Sequence, residues 1–245
     1  MPPSEIRKEA RESLRGNWGK AVGIVLAYML ISFIVGFVEG LADEGTILYS
    51  IIDLAYAIIS VPLSFGLIIS FIKLKRGEEV KAFGFLKDGF SRFGKSWGIG
   101  WHTFVRLLLP IVCLVLTIIL MTVLVLLGSD SVIITILGIA LYIATLIYVV
   151  SRSFLYVLAY YIGYDKPELS SKECVKKSEE LMKGNRGNYF LLQLTFIGWA
   201  ILAVLSLCIG MLWLTPYIAI AEVCFYDRIV KPEVKKIDEE VKIEE

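Results

Sequence analysis

The sequence holds a single histidine, His102, and four cysteines, Cys113, Cys174, Cys208 and Cys224, none of them in a C-x-x-C pair. One histidine cannot build a His-based metal cluster. Set among Trp97, Trp101 and Phe104, His102 reads as part of an aromatic belt rather than as a catalytic base. The cysteine spacing supports neither a disulfide framework nor a zinc site, and buried small hydrophobes are the expected role. There is no G-x-G-x-x-G, and Gly184-Asn185-Arg186-Gly187 lacks the Lys-Ser/Thr of a phosphate-binding loop. No catalytic residue, metal or cofactor is therefore predicted, and an enzyme is not expected. Charge is scarce too: 20% of residues, with a net charge of +1, so no overall field attracts nucleic acid. Met1 to Lys20 is too charged for a cleaved leader, and no A-x-A-like site closes the apolar run that follows. That run is expected to be retained.

What the chain has in quantity is apolar side chains, 57% of residues, with a mean hydropathy of +0.72. They gather into runs without charge: Ala21 to Val38, Leu54 to Ile72, Leu107 to Gly128, Ser131 to Ser151 and Asn188 to Ala221. At 1.5 Å per residue, each of the first four crosses a hydrocarbon layer of about 30 Å once. The fifth is too long for one crossing. A hairpin turning near Leu207 to Gly210 accounts for it, and a single tilted helix broken near Pro216 is the alternative.

Charge placement favours the hairpin. Segments 1–20, 73–95, 164–187 and 227–245 hold five, seven, six and five Lys/Arg. The connections around 39–46 and 128–130 hold no base, only Glu39, Asp43, Glu44 and Asp130. Basic residues stay cytoplasmic, so six spans put all four basic segments on one side. The expected fold is all-α: a polytopic membrane bundle of six spans, about 21–38, 50–72, 107–127, 131–151, 189–207 and 210–226. These form one domain over 1–228, followed by a charged tail, 229–245, with both termini cytoplasmic in a cell membrane.

The basic segments carry helical signals of their own. Residues 4–15 place Ile6, Ala10 and Leu14 on one face between arginines, with Ser4 available as N-cap. In 80–93, Phe83, Leu86, Phe90 and Phe93 recur at helical spacing beside Lys81, Lys87 and Arg92. In 170–183, Ser170 and Glu173 form a capping-box pattern ahead of Cys174, Val175, Leu181 and Met182. Such helices suit two roles, contact with anionic lipid headgroups or packing on one another as a cytoplasmic cap. Leu14-Arg15-Gly16-Asn17-Trp18-Gly19-Lys20 is echoed by Met182-Lys183-Gly184-Asn185-Arg186-Gly187-Asn188, and more weakly by Phe93-Gly94-Lys95-Ser96-Trp97-Gly98. A triple repeat follows: an amphipathic helix, a glycine hinge and a hairpin of two spans. Transporters are often built from repeats, as are other membrane proteins.

Several stretches resemble one family throughout the chain. They are Glu5-Ile6-Arg7-Lys8-Glu9-Ala10-Arg11 with Leu14, Gly16 and Trp18, then Arg76-Gly77-Glu78 with Gly89-Phe90, and Tyr164-Asp165-Lys166-Pro167. The most specific runs from Ser178 and Leu181-Met182-Lys183-Gly184 through Thr195-Phe196-Ile197-Gly198-Trp199 to Trp213-Leu214, Pro216-Tyr217 and Phe225-Tyr226. Together they resemble the bacterial integral membrane family catalogued as domain of unknown function 975. The resemblance implies a multi-pass protein without an assigned activity. Two departures stand out: Ile147-Tyr148-Val149-Val150 where an Ile-Pro-Gly break is expected, and Glu222 where the family is usually uncharged.

Four ionisable residues near or inside spans are candidate binding residues: Asp53, Glu222, Arg106 and Arg152. The two arginines can snorkel to an interface. Asp53 reads as buried with hydroxyl partners, open to the outer solution, or interfacial, and not salt-bridged to either arginine. Glu222 pairs with Arg228 or faces a cavity. Gly19, Gly23 and Ala27, and Ser32, Gly36 and Gly40, form small-residue faces that suit close packing within the bundle or dimerisation. Two functional classes remain ahead of an intramembrane enzyme. One is a non-catalytic scaffold or accessory protein, whose partners are lipid, a membrane protein or a second copy. The other is a carrier of ions or small molecules. A polar cavity lined by Asp53 or Glu222 favours transport, and a solidly packed bundle favours the scaffold.

Overall fold

The structure, a computed structural model, describes residues 2–43, 45–126 and 132–244. It is 84% helix, with no strand among the described residues. In chain order the helices are α1 (Pro3–Leu14), α2 (Trp18–Glu39), α3 (Ile47–Lys75), α4 (Gly84–Phe90), α5 (Phe93–Leu126) and α6 (Val132–Ser153). After a 3-10 turn, Phe154–Tyr156, come α7 (Ala159–Asp165), α8 (Ser171–Met182), α9 (Arg186–Leu205) and α10 (Met211–Glu244). Five helices among the described residues are long and apolar enough to cross a membrane: α2, α3, α5, α9 and the segment Val132–Asp165. Ser131, Glu44 and Asp130, used above to bound spans and connections, lie outside the described residues.

The fifth apolar run forms two helices. α9 ends at Leu205, and Leu207 and Cys208 take positive φ angles of 54° and 66° to reverse the chain. Gly210 donates its N–H to Ser206 Oγ at 2.9 Å, which closes the turn. Pro216 sits in the second turn of α10, and the helix continues through it.

The helix order is that of the repeat: α1 then α2–α3, α4 then α5–α6, α8 then α9–α10, with α7 inserted before the last unit. Two hinges share a backbone. Arg15 and Lys183 have φ/ψ of −62/120 and −60/119, Gly16 and Gly184 have φ of +80 and +86, and Asn17 and Asn185 have −114/4 and −104/−4. Only glycine takes the left-handed turn without strain, which is why both copies carry it at that place. The middle copy differs. Ser91, after α4, is right-handed helical, and the chain enters α5 without a left-handed residue.

The apolar faces of α1 and α8 are buried in protein: Ile6, Ala10 and Leu14 in the first, Cys174, Val175 and Met182 in the second. Burial pushes the Cys174 thiol up. α1 begins at Pro3, with Pro2 at the cap and no side-chain bond to it, so Ser4 is not the N-cap. The Ser170–Glu173 capping box forms in full. In α4 the expected stripe is not the face buried in the protein, although Leu86 packs partly against the core. Phe85 is buried, while Phe83, Phe90 and Phe93 are exposed. The reason is backbone proximity: α4 lies against α3 so closely that a Cβ on Gly89 would stand 2.0 Å from the Pro62 carbonyl oxygen.

Burial is concentrated in the hairpin halves far from their turns, together with α1, α4, α7 and α8. Near the turns Phe33, Leu41, Ile47, Leu126, Val132 and Leu205 are exposed, as is most of α5 and α6. Gly19 and Gly36 meet nothing within 4 Å, whereas Gly23 comes within 4.0 Å of Ala82 and Ala27 is buried in the core, so the first small-residue face packs within the chain at its inner end.

Candidate functional site

Glu222, one of the four candidates, lies at the centre of a hydrogen-bond network. Tyr189 donates to its Oε1 at 2.7 Å, Gln193 Nε2 donates to the same oxygen at 2.7 Å, and Tyr161 donates to Oε2 at 3.0 Å. Gln193 also donates to the Tyr189 hydroxyl at 2.8 Å. α9 supplies Tyr189 and Gln193 one turn apart, α7 supplies Tyr161, and α10 supplies the carboxylate. Tyr189 meets Phe154 edge to face and Phe225 at a tilt, and Tyr161 packs at a tilt on Tyr226, which fixes both phenols in place. Glu222 therefore does not pair with Arg228, and it lines neither the cleft at Arg106 and Arg152 nor the groove between α1, α9 and α10. Three neutral donors satisfy it, the arrangement a buried carboxylate needs when no cation is near.

Arg228 instead joins an ion-pair network one and a half turns further along α10. Its Nε and Nη1 reach Glu9 Oε2 and Glu5 Oε2, each at 3.0 Å. Lys75, at the end of α3, pairs with Asp227 and lies 3.2 Å from Glu9. Arg76 grips Asp165 of α7 through two bonds of 2.7 and 2.8 Å and lies 3.7 Å from Asp227. α1, α3, α7 and α10 are thus tied at one point. Burial works against the Glu9 carboxylate, but the Arg228 bond and the Lys75 charge outweigh it and hold its carboxyl below the usual range. Sequence reasoning missed this network. The partners in each pair are more than 60 positions apart, and no local spacing announces them. They do fall in or beside the stretches that carry the family resemblance.

Arg106 and Arg152 come together. Both line a cleft of about 410 Å³ with Tyr156, with Lys176 and Glu179 of α8, and with Lys183 just after it. Arg106 pairs with Glu179 at 2.5 Å and lies over the Tyr156 ring at 5.8 Å. Arg152 Nε is buried without a hydrogen-bond partner. Asp53 stands apart. It is exposed on α3 and makes no hydrogen bond or ion pair among the described residues, so the buried, hydroxyl-partnered reading is corrected. Its separation from both arginines holds.

A groove of about 450 Å³ opens between α1, α9 and α10. Trp199, Leu202, Trp213 and Leu214 form apolar walls, and Arg7 and Arg11 of α1 border them. No group of three or more His, Cys, Asp or Glu gathers to hold a metal among the described residues.

Comparison with known families bears out the resemblance. The family described as "Protein of unknown function (DUF975)" matches residues 1–233, and the chain belongs to it. No curated protein and no solved structure matches the chain.

Proposed function

We propose that this DUF975 member is a six-span, non-catalytic scaffold or accessory protein of the cell membrane, with both termini in the cytoplasm. The sixth span is the first part of α10, from Met211 to about Tyr226. Glu222 interrupts its apolar run, but Tyr161, Tyr189 and Gln193 satisfy the carboxylate inside the protein, which removes most of the penalty of inserting it. Anionic headgroups and neighbouring membrane proteins are the proposed partners. The exposed apolar halves of the hairpins give the chain a large lateral surface on which to meet them.

One observation supports this reading: the Glu222 carboxylate is taken up by three donors within the protein while Asp53 lies exposed on α3 without a partner among the described residues, so the two do not share a polar network. A carrier needs such a path at the bilayer midplane. The second reading, a carrier, draws on the three repeated units and the shared hinge of the first and third. Proteoliposomes loaded with a pH-sensitive dye separate the two. The scaffold predicts proton and sodium leak equal to that of protein-free vesicles, with Glu222→Gln unchanged. Protein-dependent flux that Glu222→Gln abolishes would establish the carrier.

A further inference from the structure

Two arginines border the groove between α1 and the α9–α10 hairpin, and neither has an acidic partner. Arg76, Arg106 and Arg228 each pair with a carboxylate, whereas Arg7 and Arg11 make no ion pair among the described residues. Of the three acidic residues of α1, Glu5 and Glu9 are held by Arg228 and Lys75, and Glu12 makes no ion pair with either arginine among the described residues. Arg7 Nε is buried with no hydrogen-bond acceptor. An orphaned donor on a charged group is costly, and like charges one helical turn apart repel. α1 is nevertheless fixed in this position by Ile6, Ala10 and Leu14, all fully buried, and by a bond of 3.3 Å from the Tyr217 hydroxyl to the Arg7 carbonyl. The two guanidinium groups are held where a ligand's negative charge would relieve both costs.

The rest of the groove is apolar and aromatic. Trp199 and Trp213 are half exposed to it, and Leu202 lies between them. Tryptophan beside arginine is the side-chain chemistry of a membrane interface, where one end of a ligand is hydrocarbon and the other is charged. The volume, about 450 Å³, falls within the range of small-molecule sites.

We propose that this groove binds one anionic glycerophospholipid, its phosphate shared by Arg7 and Arg11 and an acyl chain lying along Trp199, Leu202 and Trp213. Guanidinium groups grip phosphate through paired bonds, and the ammonium of a zwitterionic headgroup would be repelled by the same two arginines. The groove thus selects phosphatidylglycerol over phosphatidylcholine. The assignment rests on the membrane reading above and gives the proposed headgroup contact one location.

The test uses the full chain in phosphatidylcholine nanodiscs. Three of its five tryptophans, Trp18, Trp199 and Trp213, line the groove. Brominated-acyl phosphatidylglycerol should quench tryptophan fluorescence at roughly tenfold lower mole fraction than brominated phosphatidylcholine, the worth of one charge-assisted bond. The double variant Arg7→Gln/Arg11→Gln should lose that preference. On the unmutated chain, unlabelled phosphatidylglycerol should relieve the quenching, while phosphatidylcholine and millimolar inorganic phosphate should not. Equal quenching by the two lipids, a preference that survives in the double variant, or relief by inorganic phosphate would each overturn the site. Failure of the chain to enter the discs would remove the membrane reading instead.

Discussion

Trp97 donates its indole N–H to the Ile58 carbonyl at 3.0 Å. That carbonyl is the one whose helical donor would be residue 62, and residue 62 is proline, which has no N–H. A side chain from α5 thus fills the vacancy that Pro62 opens in α3. An unpaired carbonyl in an apolar setting costs about 1–3 kcal/mol. Trp97→Phe should lower stability by that amount, measured by unfolding in mild detergent. In a Pro62→Ala background the helix supplies its own donor, so most of the Trp97→Phe penalty should vanish. An equal penalty in both backgrounds would mean that Trp97 acts through packing alone.

α3 and α4 meet through two glycines. A Cβ on Gly66 would stand 1.9 Å from the Phe85 carbonyl oxygen, and one on Gly89 2.0 Å from that of Pro62. Both obstacles are backbone, so neither can move aside as a side-chain tip would. Gly66→Ala and Gly89→Ala should each cost more than about 3 kcal/mol by forcing the helices apart. Gly36→Ala, with nothing within 4 Å, should leave the melting temperature unchanged.

The ion-pair network makes the docking of α1 sensitive to acid. The folded-state pKa of Glu9 lies below its ordinary value of 4.5, so the ionised form stabilises the fold. That contribution is complete above about pH 4.5 and is lost as pH falls through the lower folded value. Glu9→Gln should cost about 1 kcal/mol at pH 7, after allowance for solvent screening. The gap to the parent chain should close in melts run at progressively lower pH. A gap that persists when Glu9 is protonated would assign its role to shape rather than charge.

Six spans and five make different predictions for the tail. On a background without the four native cysteines, a single cysteine at Asp43 should react with an impermeant maleimide added outside intact cells. Cysteines at Lys87, Lys177 and Lys236 should react only after lysis. Labelling at Lys236 from outside would leave α10 within one leaflet or on the far side, and five spans.

The class of fold and the order of its helices are written locally. Uncharged runs such as Leu54 to Ile72 are helical because backbone groups in an apolar medium must satisfy themselves within the segment. The hinges are equally legible: Gly16 and Gly184 stand where a left-handed residue ends a helix, and Ser170 with Glu173 declares the start of α8. What the sequence did not determine is which polar residues meet. Glu222 finds Tyr161 and Tyr189, Arg228 finds Glu5 and Glu9, and Arg106 finds Glu179 across 73 positions. The protein-facing side of α4 was equally hidden, since Phe85, outside the stripe of Phe83, Leu86, Phe90 and Phe93, is buried where Gly66 and Gly89 bring two backbones together. Periodicity records what one segment needs from its surroundings. Which neighbour supplies it depends on the packing of helices remote in sequence, and that is decided when the chain closes on itself.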